Sequence, residues 1–243
     1  MGMIDVLCCV QARCGSHRLP GKVMKDLCGK PLILHILERL RKCSMVDRIV
    51  VATTNDSADT KLARCVSAAG VEVVRGPAQN VLARFNKVLR MFPCRQVVRV
   101  CADSPLIDPR EVDRIIKHHL ASGAEYSFNH IPRLGNGYPD GVGAEVFKSS
   151  VLKDVMTKKT TASEKEHVNA YIWNHPDQYR ITTIKAPKNI SFPQLRFEVN
   201  TAEEYRFIKK IYLALYRGRP FSTHDVIVFL RNQENGLTEI AHV

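Results

Sequence analysis

No run of apolar residues in this chain is long enough to cross a membrane, and its start lacks the basic segment, long apolar run and small-residue cleavage site of a signal peptide. These absences predict a cytoplasmic protein with no membrane partner. There is no GxGxxG, which argues against a dinucleotide site, and no Walker A loop: five residues instead of four separate Gly15 from Gly21, and Val23 stands where a magnesium-binding Ser or Thr belongs. The eight cysteines all fall between Cys8 and Cys101, with no CxxC pair and no histidines at zinc-ligand spacing, so they read as reduced core thiols. An RNP-like aromatic motif, a zinc finger and a KH-type GxxG loop are all missing, and basic residues are spread along the chain. Nucleic acid is therefore not the expected partner. No repeat, low-complexity tract or linker breaks the 243 residues, which suit one sizeable core: a single domain over 1–243.

What is present is positive charge. Lys and Arg outnumber Asp and Glu 36 to 24, a net +12 that suits anionic ligands without choosing among nucleotides, acidic sugars and nucleic acid. The charge is most telling in VQARCGSHRLPGKV, residues 10–23. There an apolar, strand-like IDVLCCV leads into a loop carrying Arg13, Arg18 and Lys22, and PLILHILERLRK comes next with helical spacing. Strand, basic loop and helix in that order can hold phosphate, with Gly15 and Gly21 letting the backbone come close; a solvated surface loop is the alternative.

Up to about residue 128 strands and helices alternate: RIVVAT with a helix at 58–68, VEVV with a helix at 80–91, QVVRVC with a helix at 109–120. Such alternation predicts an α/β fold with parallel βαβ units and a ligand site at the carboxyl edge of the sheet. The Gly-, Pro- and Asn-rich NHIPRLGNGYPDG must be irregular, and loops of that length in compact domains are often functional. Beyond it, GAEVF, RITTIKA and LRFEV read as strands, 163–174 and 202–216 as helices, and a last helix begins after Ser222 or Thr223.

Several residues on the ligand edge are candidates. Asp103, just past QVVRVC, can hold magnesium beside a triphosphate, or form an Asx turn before Ser104-Pro105. Asp108, before Pro109, reads as a helix N-cap. Thr53, Thr54, Arg75 and Gly76 end strands and can reach a nucleotide, although such residues are also ordinary turn formers. Asp140 and Gly141 form a PDG turn, and Glu166 and His167 open EHVNAYIW, where a first-turn acid and a structural His are equally natural.

The chain resembles the cytidylyltransferases of the spore coat polysaccharide biosynthesis protein F type, relatives of the CMP-sialic acid and CMP-Kdo synthetases. The resemblance is carried by VQARCGSHRLPGKVMKDLCGKPLILHILERL, IVVATTND, VEVVRG, VVRVCADSPLIDP, YPDGVGAEVF, KEHVNAYIW and LRFEVNTAEEYRFIKKIY, in family order from residue 4 to about 212. It implies a Rossmann-like, GT-A-like nucleotidyltransferase fold with a mostly parallel central sheet, CTP and an acidic sugar as substrates, magnesium as cofactor and a homodimer. Residues 1–128 would be the nucleotide-binding half, and 129–243 the acceptor-binding and dimerisation half. Carried over by position, Arg13, Lys22 and Asp103 are catalytic. Gln11, Ala12, Gly15, Ser16, Arg18, Thr53, Thr54, Arg75 and Ala102 join Arg13 and Lys22 around the nucleotide; Asp140, Gly141, Glu145, Glu166 and His167 meet the acceptor.

The resemblance also implies that Asp103 is the metal ligand, and Glu198 or Asn200 is the candidate for its partner. The chain departs from the family pattern at Asn80, Gly143 and Asn200, each standing where an acid is usual. Two residues apart on a strand, Glu198 and Asn200 would project to one side, so Glu198 can restore the charge missing at Asn200; a surface glutamate is the alternative. Two other readings stand beside the synthetase: a nucleotide-sugar glycosyltransferase, whose DxD motif is not met by Asp103-Ser104-Pro105, and a degenerate member that binds nucleotide without turnover.

Overall fold

The computed structural model describes residues 2–233. Seven strands form one sheet: β1 (Ile4–Gln11), β4 (Arg48–Thr54), β5 (Glu72–Gly76), β6 (Cys94–Cys101), β7 (Tyr126–Phe128), β8 (Glu145–Lys148) and β9 (Ile181–Thr183). Their spatial order is β5-β4-β1-β6-β8-β7-β9, and β8 alone runs against its neighbours. Strands β2 (Asp26–Leu27) and β3 (Lys30–Pro31) form a separate small hairpin. This is the α/β, mostly parallel sheet that the alternating pattern predicts.

Period-2 geometry sends successive side chains to opposite faces, and both faces of β1 are covered, which explains its near-continuous apolar sequence. Val6, Cys8 and Val10 join the core under α1 (Leu32–Leu40), α2 (Thr60–Ala68), α4 (Pro109–Ser122), α8 (Ala202–Leu215) and α9 (Thr223–Arg231). Leu7 and Cys9 join the other, under α3 (Val81–Met91), α5 (Ser149–Val155) and the α7 segment (Ala170–Asn174). All eight cysteines are free, with Cys8, Cys9 and Cys94 buried.

Caps fix the helix starts. Asp108 accepts from Arg110 N at 3.0 Å, and its other oxygen accepts the Thr223 amide at 2.8 Å, tying the starts of α4 and α9 together. Two expectations are corrected. The single helix over 163–174 is two short ones, α6 (Ala162–Glu166) and α7, because the backbone turns extended at His167 (φ −113°, ψ 101°). LRFEV is not a sheet strand: its one bridge pairs Arg196 with Asp140, and two loops hold it instead of a neighbouring strand.

At the carboxyl edge β1 lies between β4 and β6, and from there the strand order proceeds outward in opposite directions along the sheet, to β4 and β5 on one side and to β6, β8 and β7 on the other. Such a switch point opens a crevice. Ala12 N donates to Ala52 O (3.1 Å) and Ala102 N to Gln11 O (2.9 Å), bringing the basic loop and the Asp103 loop side by side.

Two histidines are buried as neutral groups. His35 packs edge-on against Tyr212 and Tyr216 with Nε2 at Leu27 O, and His119 bridges Ser127 and Gln96. Burial pulls each down to about 4. The unfolded chain takes up these protons near its ordinary histidine pKa of about 6.5, whereas the native protein refuses them until about 4, so this stability is complete above 6.5 and is lost as pH falls. Calorimetry will show Tm falling from about pH 7 to about pH 5, before most carboxylates titrate; a flat profile there would contradict neutral, buried imidazoles.

Candidate active site

The basic loop is held by one carboxylate. Asp59 accepts the Cys14 amide at 2.6 Å and the Thr54 amide at 3.3 Å, and also takes the Thr54 hydroxyl. Burial pushes its carboxyl up, but the Thr54 hydroxyl and the Cys14 amide outweigh that and hold it below its ordinary value. Gly21 then adopts φ +68°, a conformation that costs other residues free energy, and starts a short turn over Lys22–Met24. That turn sets Lys22, 8% exposed, in the crevice, where Nζ donates to Asp103 Oδ2 at 2.9 Å and to Asn200 Oδ1 at 3.0 Å. Arg13 Nη2 pairs with Glu166 Oε1 at 3.0 Å.

These groups border a cleft of about 310 Å³. Gln11, Arg13, Ser16, Arg18, Lys22, Ala102, Asp103, His167 and Asn200, all expected from the sequence, line it together with His17, Val23 and Cys101. A larger open groove of about 820 Å³ runs past the starts of α4 and α9, but its Arg110 and Arg114 are already paired with Asp108 and Glu111 and it contains none of the expected residues. Ala12 is buried behind the cleft, and Gly15 lies exposed in the loop with an ordinary backbone and open space where a side chain would be.

Three backbone bonds pin the carboxylates beneath. Val199 N donates to Asp103 O (2.7 Å), Phe197 N to Asp140 O (3.0 Å) and Asp140 N to Leu195 O (2.9 Å). Glu198 and Asn200 do share a side, with Asn200 Nδ2 donating to Glu198 Oε2 at 3.3 Å. Glu198 is partly buried, and burial, then Asp103, then Asp140, push its carboxyl up to about 8. Asp140 is also raised, by burial, despite Arg196 Nε at 3.6 Å. Gly141, at φ +86°, passes its amide to His130 O at 2.8 Å.

Asp103 Oδ1 and Asp140 Oδ1 are buried without a hydrogen-bond partner among the described residues. Unpaired carboxylate oxygens suit a hard cation such as magnesium. Among the described residues no three His, Cys, Asp or Glu side chains form a ready cage. The donor set fits an ion that shares its ligands with substrate phosphate, the usual habit of magnesium.

Besides Ala12 and Gly15, four further expected site residues lie elsewhere. Thr53 is fully buried, and Thr54 is spent on Asp59. Arg75 donates to Thr54 O (2.8 Å) and Asp56 O (2.7 Å), closing the turn after β4. Glu145 is buried behind the cleft in an ion pair with Arg99. Sequence reasoning passed over Asp59 and Arg99; the signal for Arg99 was a charge in the middle of the otherwise apolar VVRVC.

The three departures differ in kind. Asn80 caps α3, accepting Ala83 N at 2.8 Å, a task Asn and Asp perform about equally. A Cβ on Gly143 would stand 2.1 Å from Asn129 Oδ1 and 2.4 Å from Asn129 O, so no acid fits. Asn129 occupies that space and uses it, donating to Glu111 O and accepting Ala144 N, both at 2.9 Å. Of the three, only Asn200 lines the cleft.

The profile of the family described as Cytidylyltransferase matches residues 7–235. The chain belongs to the cytidylyltransferase family. It is 32% identical to the spore coat polysaccharide biosynthesis protein SpsF of Bacillus subtilis (strain 168), over 98% of each chain. A 3-deoxy-manno-octulosonate cytidylyltransferase of Anaeromyxobacter dehalogenans (strain 2CP-C) is 38% identical over 50% of each chain. The solved cytidylyltransferase structure from Leptospira borgpetersenii serovar Hardjo-bovis (strain JB197) superposes with a TM-score of 0.88 at 25% identity, over 99% of this chain and 98% of the other. The Rossmann-like nucleotidyltransferase fold is thus shared over 99% of this chain.

Placing acids at 80 and 143 separates the expected departures. Asn80→Asp will leave Tm almost unchanged, whereas Gly143→Asp will cost at least about 1–3 kcal/mol through overpacking. Thermal unfolding checks both, and an unaffected Gly143→Asp would contradict the contact with Asn129.

Proposed function

We propose that this cytidylyltransferase moves CMP from CTP to a hydroxyl of an acidic sugar, releasing pyrophosphate, to supply activated sugar for surface polysaccharide. The observation that carries the reading is Lys22 held between Asp103 and Asn200 in a cleft that Arg13 and Arg18 also line. The acceptor oxygen forms a bond to the α-phosphorus while the bond to the β-phosphate oxygen breaks, so negative charge grows on the departing pyrophosphate. Arg13 and Lys22 face that charge with fixed cations, and catalysis rests on alignment and electrostatic stabilisation. Asp103, with Asp140 and Glu198 beside it, would hold magnesium, which when bound neutralises phosphate charge. Glu198 then stands in for the acid absent at Asn200. The acidic sugar is supported by the name of the Anaeromyxobacter relative, and polysaccharide supply by that of the Bacillus relative.

The test is pyrophosphate release from CTP with magnesium and a panel of acidic sugars that includes 3-deoxy-manno-octulosonate. Release that depends on the sugar supports the synthetase; binding of CTP without turnover overturns it in favour of a nucleotide-binding protein. Lys22→Ala should weaken CTP binding by about 10- to 100-fold, the loss of roughly 1.5–3 kcal/mol for a hydrogen bond to a charged group, and CMP binding much less. Equal effects on CTP and CMP would remove Lys22 from the β- and γ-phosphates.

Asp103→Asn should abolish turnover while Tm stays close to wild type, and Glu198→Gln should raise the magnesium concentration needed for half-maximal activity. Asn200→Asp in the Glu198→Gln background should lower it again. Wild-type magnesium dependence in Glu198→Gln would leave Glu198 with no part in holding the ion.

A further inference from the structure

Gln11 ends β1 with its side chain on the cleft, and on its far side stands Arg99 of β6, whose Nε donates to Gln11 Oε1 at 3.2 Å. A guanidinium offers donors only. The end of the Gln11 amide that faces it must therefore be the oxygen, and the NH2 end turns away, finding no acceptor among the described residues.

Arg99 cannot swing to accept a different arrangement. It is 7% exposed and ion-paired with Glu145, which is 1% exposed. Glu145 Oε1 in turn accepts Tyr126 OH and Asn169 Nδ2, both at 2.7 Å, and His130 Nε2 lies 3.9 Å from Oε2. Burial raises the Glu145 carboxyl, but Arg99, then His130 and Tyr126, outweigh it and keep the group below its ordinary value. A satisfied buried network of this kind fixes orientation even where its net stabilisation is small.

We propose that the Arg99–Glu145 pair is a positioning device for nucleotide selection: it locks the Gln11 amide with its NH2 toward the cleft, where it donates to the pyrimidine carbonyl of the bound nucleotide. A free amide presents its donor or its acceptor end with comparable ease; a locked one accepts ligand oxygens and rejects ligand N–H groups. The base is the fitting partner because Arg13, Arg18 and Lys22 already answer the phosphates, leaving the uncharged donor for an uncharged oxygen. The assignment rests on the cytidylyltransferase reading for its ligand.

Isothermal titration with CTP, CMP and tripolyphosphate tests it, with Tm as the folding control. Gln11→Ala should weaken CTP and CMP by roughly 2- to 10-fold, the value of one neutral hydrogen bond, and leave tripolyphosphate unchanged. Gln11→Glu keeps the bond to Arg99 but has no donor, and should weaken both nucleotides at least as much. Arg99→Met with Glu145→Gln removes both charges at once, leaves no buried ion unpaired and frees the amide, so it should cost a similar factor. With Ala at position 11, that same pair of substitutions should cost nothing further. Unchanged CTP affinity in Gln11→Ala, an equal loss for tripolyphosphate, or an additional loss from the pair in the Gln11→Ala background would each overturn the proposal. A wild-type protein that binds tripolyphosphate and CTP equally well overturns the cytidylyltransferase reading as well.

Discussion

The ammonium of Lys22, shared between Asp103 and Asn200, joins three segments far apart in sequence: the loop after β1, the loop after β6 and the approach to α8. Each segment reaches the point by its own device. The first is anchored by Asp59 and turned by Gly21; the second lies beside β1 through the parallel register; the third is stitched on by Val199 and Phe197 amides. A buried cation needs such partners, because removing it from water without them costs several kcal/mol. The pairing that stabilises the cleft thus also fixes where its positive charge sits.

Much of this was legible because it is local. The apolar run of β1, the periodic helices after it and the turn residues between them are set by neighbours in the chain, so the order of elements and the position of the basic loop at the sheet edge come from pattern. Lys22 and Asp103 were legible for a related reason: the carboxyl edge of a parallel sheet gathers the loops that leave its strands. Arg13, Arg18 and Ser16 came with the same loop, and all three line the cleft.

The choice among partners was hidden. Thr54 and Arg75 sit at strand ends as well placed as any ligand group, yet Asp59 and backbone carbonyls take them first. Glu145 resembles a substrate-facing acid until Arg99 is seen opposite it across β6 and β8. LRFEV alternates as a strand would, but sheet membership depends on an available neighbour. Here Asp140 supplies two backbone contacts and Asp103 one in place of a ladder.

The contact between Asn129 and Gly143 makes two positions on different segments a single unit of change. Asn129 fills the volume that a side chain at 143 would need, and its amide is already committed on both ends, to Glu111 O and Ala144 N. An acid introduced at 143 alone meets a filled space, and a smaller residue at 129 alone takes from the Ala144 amide its side-chain acceptor. Change at either position is therefore open only to paired substitutions, and the missing side chain at 143 belongs to the packing of Asn129.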